Sequence, residues 1–488
     1  SYEENIAIGD KINEFVRLNA DEIKAFCVCE GGNLGFTQQA RIEYAKNGGR
    51  INLDSIDNSA GVNISDHEVN LKILLNDLVK KNLLSYEQRN EQLSLLSDQV
   101  VKSVLWTNYF QPLAISLDEI KSKESLDDFL KSIRVLENNL EFFKRVDFKI
   151  PQDNDFEEVL NRDGSIIRPI LSTLLLYSKI FLKNILNQSS FLDTESAFEK
   201  FLFKYFPKSF VSVYEDEIKE HYLKKEIMAM MISNEIINFF GSSFISDYEE
   251  LGEEKFLLKI KAYLITNDLF KANDIRYELY RREKEIGALK IYPLLIKIEE
   301  AILYNVRWML KGLYERDICY SYILEHQKSI EYFLSILNLP KVNVVKDDEK
   351  INDFFTKLDY LKLVTGVLIV YKSEIVDFVE IGKIYYMVID KLSIVSLMRM
   401  IEELSVKDSS EEILQRQLKT MIEVLVIDLT KNILKFKRKN EDEKESVENY
   451  FKEKEFDLKK FREDIKALKE SGFSLTDLSI AVNRLLLL

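Results

Sequence analysis

Glu30 to Glu68, EGGNLGFTQQARIEYAKNGGRINLDSIDNSAGVNISDHE, is the stretch whose reading decides the fold. Just before it, Ile23 to Cys29 (IKAFCVC) is an apolar run of strand length. The run stops at Glu30-Gly31-Gly32-Asn33, a turn whose two glycines tolerate positive φ and let a ligand come close to the backbone. Thr37 to Lys46 predicts one short helix, stopped by Asn47-Gly48-Gly49. Arg50 to Leu53 predicts a second short strand. It leads into a polar loop, Asp54 to Asn63, that carries Asn58-Ser59-Ala60-Gly61, and a new helix is expected from Ser65. Strand, glycine turn, helix and strand make a parallel crossover. In open sheets of this kind ligands sit beyond the carboxyl ends of the strands, where loops 30–37 and 54–65 both fall. Plain turns have the same composition, and EGGNLG has no phosphate-cradling lysine.

The chain of 488 residues is long enough for more than one domain. Its net charge of -14, with basic and acidic residues interleaved, argues against a nucleic-acid surface. The 3 cysteines, two of them as Cys27-x-Cys29, imply no disulfide framework and fit a reducing, cytoplasmic compartment. No basic-then-apolar leader is visible, and no uncharged apolar run reaches the roughly 18 residues of a membrane span. Only 6 prolines and 15 glycines favour long helices.

Outside the opening stretch, helical periodicity dominates. Ile6 to Leu18 predicts a helix with Ile8, Ile12, Phe15 and Val16 on one face, packed on the sheet. Ser65 and Glu68, and again Ser85 and Gln88, have capping-box spacing. The helix after Ser85 is expected to reach about Tyr109, with Pro112 ending the region. Ser125 to Asp147 is periodic, Pro151 to Gly164 is the best linker candidate, and Pro169 opens an apolar, buried helix. Three helices are expected in 194–240, broken near Pro207, with breaks at Gly241 and Gly252. Further helices follow at 253–286, 290–312, 319–338, 351–371, 373–405, 409–436 and 442–470, with a short one after Ser474. Lys341 to Lys350 reads as a charged loop and Lys437 to Glu455 as a solvated arm.

Several residues invite a chemical role and have a plainer one. His67-Glu68 opens an HExxH pattern, but Leu71 stands where the second zinc ligand belongs, so that site is excluded. His67, His221 and His326 read as ordinary helix residues. Cys27 and Cys29 fall on one side of a strand, where core packing is a better account than metal binding. Trp308 reads as helix packing. No metal site is expected.

Taken together, the motifs are specific. The EGGN turn followed by LGFTQ, RIEYA, GGRIN, DNSAGV and SDHEVN resembles the large-subunit, NAD-specific glutamate dehydrogenases of bacteria. Similar motifs continue with RPILSTLLLYSKI from Arg168, KYFP from Lys204, HYLKKEI from His221, VRWML from Val306 and the terminal LTDLSIAVNRL. The resemblance implies that Asn33 and the backbone of Gly32 lie beside the nicotinamide ribose, that Asn58 approaches the nicotinamide amide, and that Gly61 keeps the backbone low there. It implies that Ser65 hydrogen-bonds the distal carboxylate of glutamate, a role that competes with helix capping for one hydroxyl. Smaller members of the superfamily differ at Gly32, Leu34, Gly35, Ser59, Ala60, Asp66 and His67.

The expected fold is mostly α: a small parallel α/β remnant of a Rossmann-type coenzyme domain followed by a large irregular multi-helix domain. The expected divisions are 1–65 for the end of the NAD-binding catalytic domain, 66–150 for connecting helices, and 166–488 for a carboxyl-terminal helical domain. The implied cofactor is NAD and the implied ligands are L-glutamate and 2-oxoglutarate, in a homo-oligomer of a longer subunit without nucleic-acid or membrane partners. No catalytic residue is assigned in this chain, because neither a G-x-G-x-x-G turn nor the family's glycine-rich lysine segment occurs in it. The chain is therefore expected to be a carboxyl-terminal portion, inactive alone, with residues 1–65 covered by the helices, paired with another chain or poorly ordered. The alternative is a non-catalytic helical scaffold.

Overall fold

The computed structural model describes residues 5–312, 320, 326–337, 339–373, 377–404, 409–438 and 441–485. They form a mostly α-helical protein of two compact units, 1–257 and 258–488.

The opening stretch folds as a crossover. Strand β1 (Cys27–Val28) pairs in parallel with β2 (Arg50–Ile51), Cys27 opposite Arg50 and Val28 opposite Ile51. Helix α1 (Gln38–Lys46) joins them, its start held by Thr37 Oγ1 accepting from the Ala40 N–H at 3.2 Å. It ends at Asn47 and Gly48, whose φ of +89° is the left-handed stop the sequence announces.

Several expectations here need correction. The strands are two residues long. Ile6 to Leu18 forms only a turn at Asn5–Ile8 and a 3₁₀ turn at Glu14–Val16, with Ile12, Phe15 and Val16 exposed. Gly9 at φ +73° and Asp10 accepting from the Asn13 side chain at 2.8 Å break the run, and an isolated helix of this length has no packing partner to sustain it. The polar loop is helical too: Asp54–Asp57 makes one turn, and α2 (Ser59–Lys80) begins six residues before Ser65. The Ser65–Glu68 capping box is accordingly not made, and Glu68 instead pairs with Lys72 at 2.5 Å. The capping box at Ser85 and Gln88 does form, opening α3 (Tyr86–Glu124). Pro112 lies inside α3 and does not end it. Its carbonyl accepts from Ser116 Oγ at 2.9 Å and Arg168 Nη2 at 3.2 Å, bonds no local pattern reveals.

Helix α4 (Leu126–Asn139) follows, then the segment 151–164, in which Phe156 and Val159 are buried. Helix α5 (Arg168–Gln188) opens with Pro169 as predicted, and Ile170, Leu171, Leu174 and Leu175 are fully buried. Among the described residues α5 alone is long and apolar enough to cross a bilayer, and 67% of its apolar window is buried inside the protein. The expected trio appears as α6 (Glu199–Tyr205), α7 (Lys208–Lys219) and α8 (Lys224–Phe240). Gly241, at φ +104°, ends α8 where an added Cβ would strike Asp118 Oδ1. That carboxylate is wholly buried and accepts from Ser242 N and Oγ at 2.8 and 2.7 Å.

In residues 258–488 the helices include α9 (Ala272–Arg281), α10 (Ala288–Gly312), α11 (Glu349–Leu361), α12 (Val364–Ser373), α13 (Phe378–Lys391), α14 (Ile394–Glu403) and α15 (Ser409–Phe436). Three more, α16 (Glu443–Lys452), α17 (Glu455–Ser471) and α18 (Leu475–Leu485), close the chain. Four expected long helices are broken, 351–371, 373–405 and 442–470 each in two and 253–286 in three, and Lys271 and Ser393, at φ +51° and +53°, make two of the breaks. The charged segment 437–455 is not a free arm, since Ser446, Val447 and Phe451 of α16 are buried. The helix expected over 319–338 falls partly outside the described residues.

Candidate functional site

The two polar turns meet. Asn58 Nδ2 donates to Asn33 Oδ1 at 3.0 Å, across 25 residues of sequence, at the carboxyl end of the parallel strand pair. Both side chains reach the surface. Beneath them the turns are fastened by carboxylates the sequence reading did not single out. Asp57 Oδ2 accepts from the Glu30 N–H at 3.0 Å, and Asp54 Oδ2 from the Leu34 N–H at 2.9 Å, so the second turn holds the backbone of the first.

Glu30 is itself buried, and Arg41 from α1 supplies its countercharge: Nε reaches Oε2 at 2.6 Å and Nη2 reaches Oε1 at 2.9 Å. Arg41 extends to Asp54 at 3.4 Å, and Glu30 Oε1 accepts the Phe36 N–H at 3.1 Å. A forked guanidinium between two carboxylates satisfies charges that would be costly to bury singly. The glycines of the first turn do not supply its left-handed residue. Gly31 and Gly32 have ordinary φ, and the left-handed position belongs to Leu34 at φ +59°. Gly61 lies in the first turn of α2, where a Cβ would sit 3.5 Å from Asn58 Oδ1.

Ser65 is one turn further along α2, exposed, its Oγ donating to the Gly61 carbonyl at 3.3 Å. Of its neighbours in SDHEVN, Glu68 and Val69 are exposed, while Asp66, His67 and Asn70 face inward. Asp66 Oδ2 accepts from Tyr205 OH at 2.8 Å, Asn70 Nδ2 donates to the same hydroxyl at 2.9 Å, and His67 stacks on the Tyr205 ring with centroids 4.1 Å apart. The Asn70 carbonyl meets His221 Nε2 at 3.2 Å. Burial, reinforced by Asp66, pushes the Tyr205 phenol far above its ordinary value, while burial pulls His67 and His221 down. His221 is a loop residue between α7 and α8, not a helical one. The KYFP and HYLKKEI motifs are thus the seat of the SDHEVN motif.

Cys27 and Cys29 are exposed free thiols, contrary to the expected core packing. Partial burial, Asp57 and Cys27 raise the Cys29 thiol. A separate cleft of about 360 Å³ lies at the opposite end of β2, lined by Lys46, Gly48, Arg50, Glu119, Arg162 and Arg168 among others.

Among the described residues, fold and site define a helical protein with one parallel strand–helix–strand crossover whose two asparagine-bearing turns converge. Residues 1–118 match the family described as bacterial NAD-glutamate dehydrogenase, catalytic domain, and residues 164–332 and 346–486 match glutamate dehydrogenase, C-terminal. The chain belongs to the bacterial NAD-glutamate dehydrogenase family. It is 32% identical to the NAD-specific glutamate dehydrogenase of Halomonas elongata over 65% of this chain and 20% of that one. The Pseudomonas aeruginosa protein of the same name is 35% identical over 55% of this chain and 16% of its own length. The one from Mycobacterium tuberculosis is 29% identical over 56% and 17%. The chain therefore spans about a fifth or less of the length of these curated relatives.

Proposed function

We propose that this chain acts within an NAD-dependent glutamate dehydrogenase, an enzyme that deaminates L-glutamate oxidatively to 2-oxoglutarate and ammonia. In this reading residues 1–65 end a Rossmann-type coenzyme domain, 66–150 are connecting helices, and 166–488 form the carboxyl-terminal helical domain. The active subunit is cytoplasmic and homo-oligomeric, with neither nucleic acid nor membrane as partner.

The observation that carries the reading is the Asn33–Asn58 hydrogen bond at the carboxyl end of the parallel strands. The donor set suits nicotinamide. With Asn58 Nδ2 committed to Asn33 Oδ1, the Asn33 amide N–H groups and the Asn58 carbonyl oxygen remain, a donor and an acceptor side by side. A carboxamide offers the complementary pair. NAD, when bound, accepts the hydride. The residues of this chain orient its ring through Asn33 and Asn58, with Gly32 and Gly61 admitting it and Ser65 holding the distal carboxylate of glutamate. Phe26, Cys27 and Leu34 around β1 are exposed, which supports further sheet packing there in the active subunit.

The chain alone contains no pyrophosphate turn or catalytic lysine segment, so the purified chain should bind NAD weakly or not at all and form no NADH from glutamate. Adding the coenzyme-domain segment that precedes it should restore activity. In that restored enzyme Asn33→Ala and Asn58→Ala should each raise KM for NAD about tenfold, the worth of one good hydrogen bond. NADH production by the chain alone would overturn the inactive-alone reading. An unchanged KM for NAD in both variants would overturn the pocket, and a stable mixture without activity would favour the scaffold.

A further inference from the structure

Helix α5 is linked to both asparagine turns through intervening side chains, from two points eleven residues apart, or about 16 Å along the axis. At its first turn Arg168 Nε donates to Asn52 Oδ1 at 3.0 Å, and Asn52 Nδ2 donates to Asp57 Oδ1 at 2.9 Å. The other oxygen of Asp57 holds the Glu30 N–H, so this line ends in the first turn. Three turns later Lys179 Nζ donates to Gln111 Oε1 at 3.1 Å. Gln111 Nε2 donates to Ser59 Oγ at 2.8 Å, and Ser59 Oγ donates to Asn108 Oδ1 at 2.8 Å. Ser59 directly follows Asn58, so the second line ends in the second turn.

Arg168 and Lys179 belong to the segment that matches the carboxyl-terminal family, whereas Asn52, Asp57, Ser59 and Gln111 belong to the catalytic-domain match. All of them lie in the compact unit 1–257. Arg168 is further fixed by Ser116 Oγ at 3.0 Å and Glu119 at 3.1 Å, so its guanidinium cannot swing away. Burial pushes the Lys179 ammonium down to about 7, and Gln111 Oε1 is the oxygen that meets it.

We propose that α5 is a positioning clamp for the asparagine pair, with Arg168 fixing the Asp57–Glu30 side and Lys179, through Gln111 and Ser59, fixing the Asn58 side. The carboxyl-terminal block is then part of the coenzyme pocket's geometry without touching the coenzyme. This rests on the reading of Asn33 and Asn58 as nicotinamide contacts. Arg168 and Lys179 are positioning residues, and their loss should move coenzyme affinity and leave the chemical step largely alone.

Hydrogen–deuterium exchange on the purified 488-residue chain tests the clamp directly. Lys179→Met and Ser59→Ala should each speed exchange in residues 54–64 about tenfold, the double variant should add little, and Ser59→Thr, which keeps the hydroxyl, should exchange like the parent. In the enzyme restored with the preceding segment, Lys179→Met should raise KM for NAD about tenfold with kcat within about twofold. Unchanged exchange in 54–64, or acceleration spread evenly over residues 27–257, overturns the clamp. If exchange responds but neither Lys179→Met nor Asn58→Ala moves KM for NAD, the nicotinamide reading falls and the clamp stands. If Asn58→Ala moves KM while Lys179→Met moves neither observable, the clamp falls alone.

Discussion

Arg41 and Arg276 are both buried arginines gripping a buried glutamate, yet different things hang on them. Arg276 on α9 sits among helices: Nε meets Glu299 Oε1 at 2.8 Å, Nη1 meets Asn267 and Asn273 at 2.5 and 2.8 Å, and Tyr263 OH closes on Glu299 Oε2 at 2.7 Å. All those partners are side chains in or beside helices. Arg41 grips Glu30, but Glu30 and Asp54 also hold backbone N–H groups of an exposed turn. One cluster spends its charges on packing, the other on the shape of a surface loop. Saturated buried charge is therefore not by itself a sign of function; what matters is whether it holds an exposed turn.

The largest effect should come from breaking the packing cluster. Arg276→Met leaves Glu299 buried without its cation and should cost about 3–5 kcal/mol, read as a lower urea midpoint for residues 258–488. Arg41→Met should cost less, about 2–3 kcal/mol, because Glu30 lies under a surface turn and water can reach it once the turn loosens. It should also speed exchange at Glu30, Leu34 and Phe36, which Arg276→Met should not touch. Equal exchange profiles for the two variants would erase the distinction.

The same contrast explains what the sequence disclosed. Thr37, Gly48 and Ser85 announce their turns through bonds to residues three or four away, and α1 and α3 begin or end where they say. Asn58-Ser59-Ala60-Gly61 suits both a loop and a helix start, and the choice falls to Gln111 and Asn108 about fifty residues away. Pro112 is tolerated for a similar reason, through Arg168. Ile12, Phe15 and Val16 make an apolar stripe that periodicity reads as a helix, but no surface receives it. Of the candidate site, the convergence of Asn33 and Asn58 was foreshadowed by the family motifs. Glu30, Arg41, Asp54 and Asp57 were not, because charged residues near a glycine turn carry no local mark that they will be buried together.

A third buried glutamate sharpens the comparison because no arginine among the described residues meets it. Glu423 on α15 is 4% exposed, neither carboxylate oxygen has a hydrogen-bond partner among the described residues, and it lines a void of about 10 Å³ with Trp308, Lys362 and Tyr385. Burial pushes its carboxyl well above the ordinary 4.5. Above pH 4.5 the unfolded chain has released a proton that the folded chain still holds, so this residue costs stability increasingly as pH rises from 4.5 towards its folded value. Glu423→Gln should stabilise on the order of 2 kcal/mol at pH 7 and make little difference at pH 4. A thermal melt at the two pH values checks it; a loss at pH 7 would mean that the carboxylate is charged and paired.

The smallest stability effect should be at Ser65. Its Oγ makes one exposed bond of 3.3 Å to the Gly61 carbonyl, six residues past the start of α2, so it caps nothing. A back-bond of that kind contributes little to a helix. Ser65→Ala should therefore change the chain's stability by less than about 0.5 kcal/mol. In the enzyme restored with its preceding segment, it should nevertheless raise KM for glutamate about tenfold, since a hydroxyl donating to a carboxylate is worth more than one donating to a solvated carbonyl. A stability loss above 1 kcal/mol with KM unchanged would return Ser65 to a structural role. That outcome would also remove the proposed substrate contact from the exposed edge of α2.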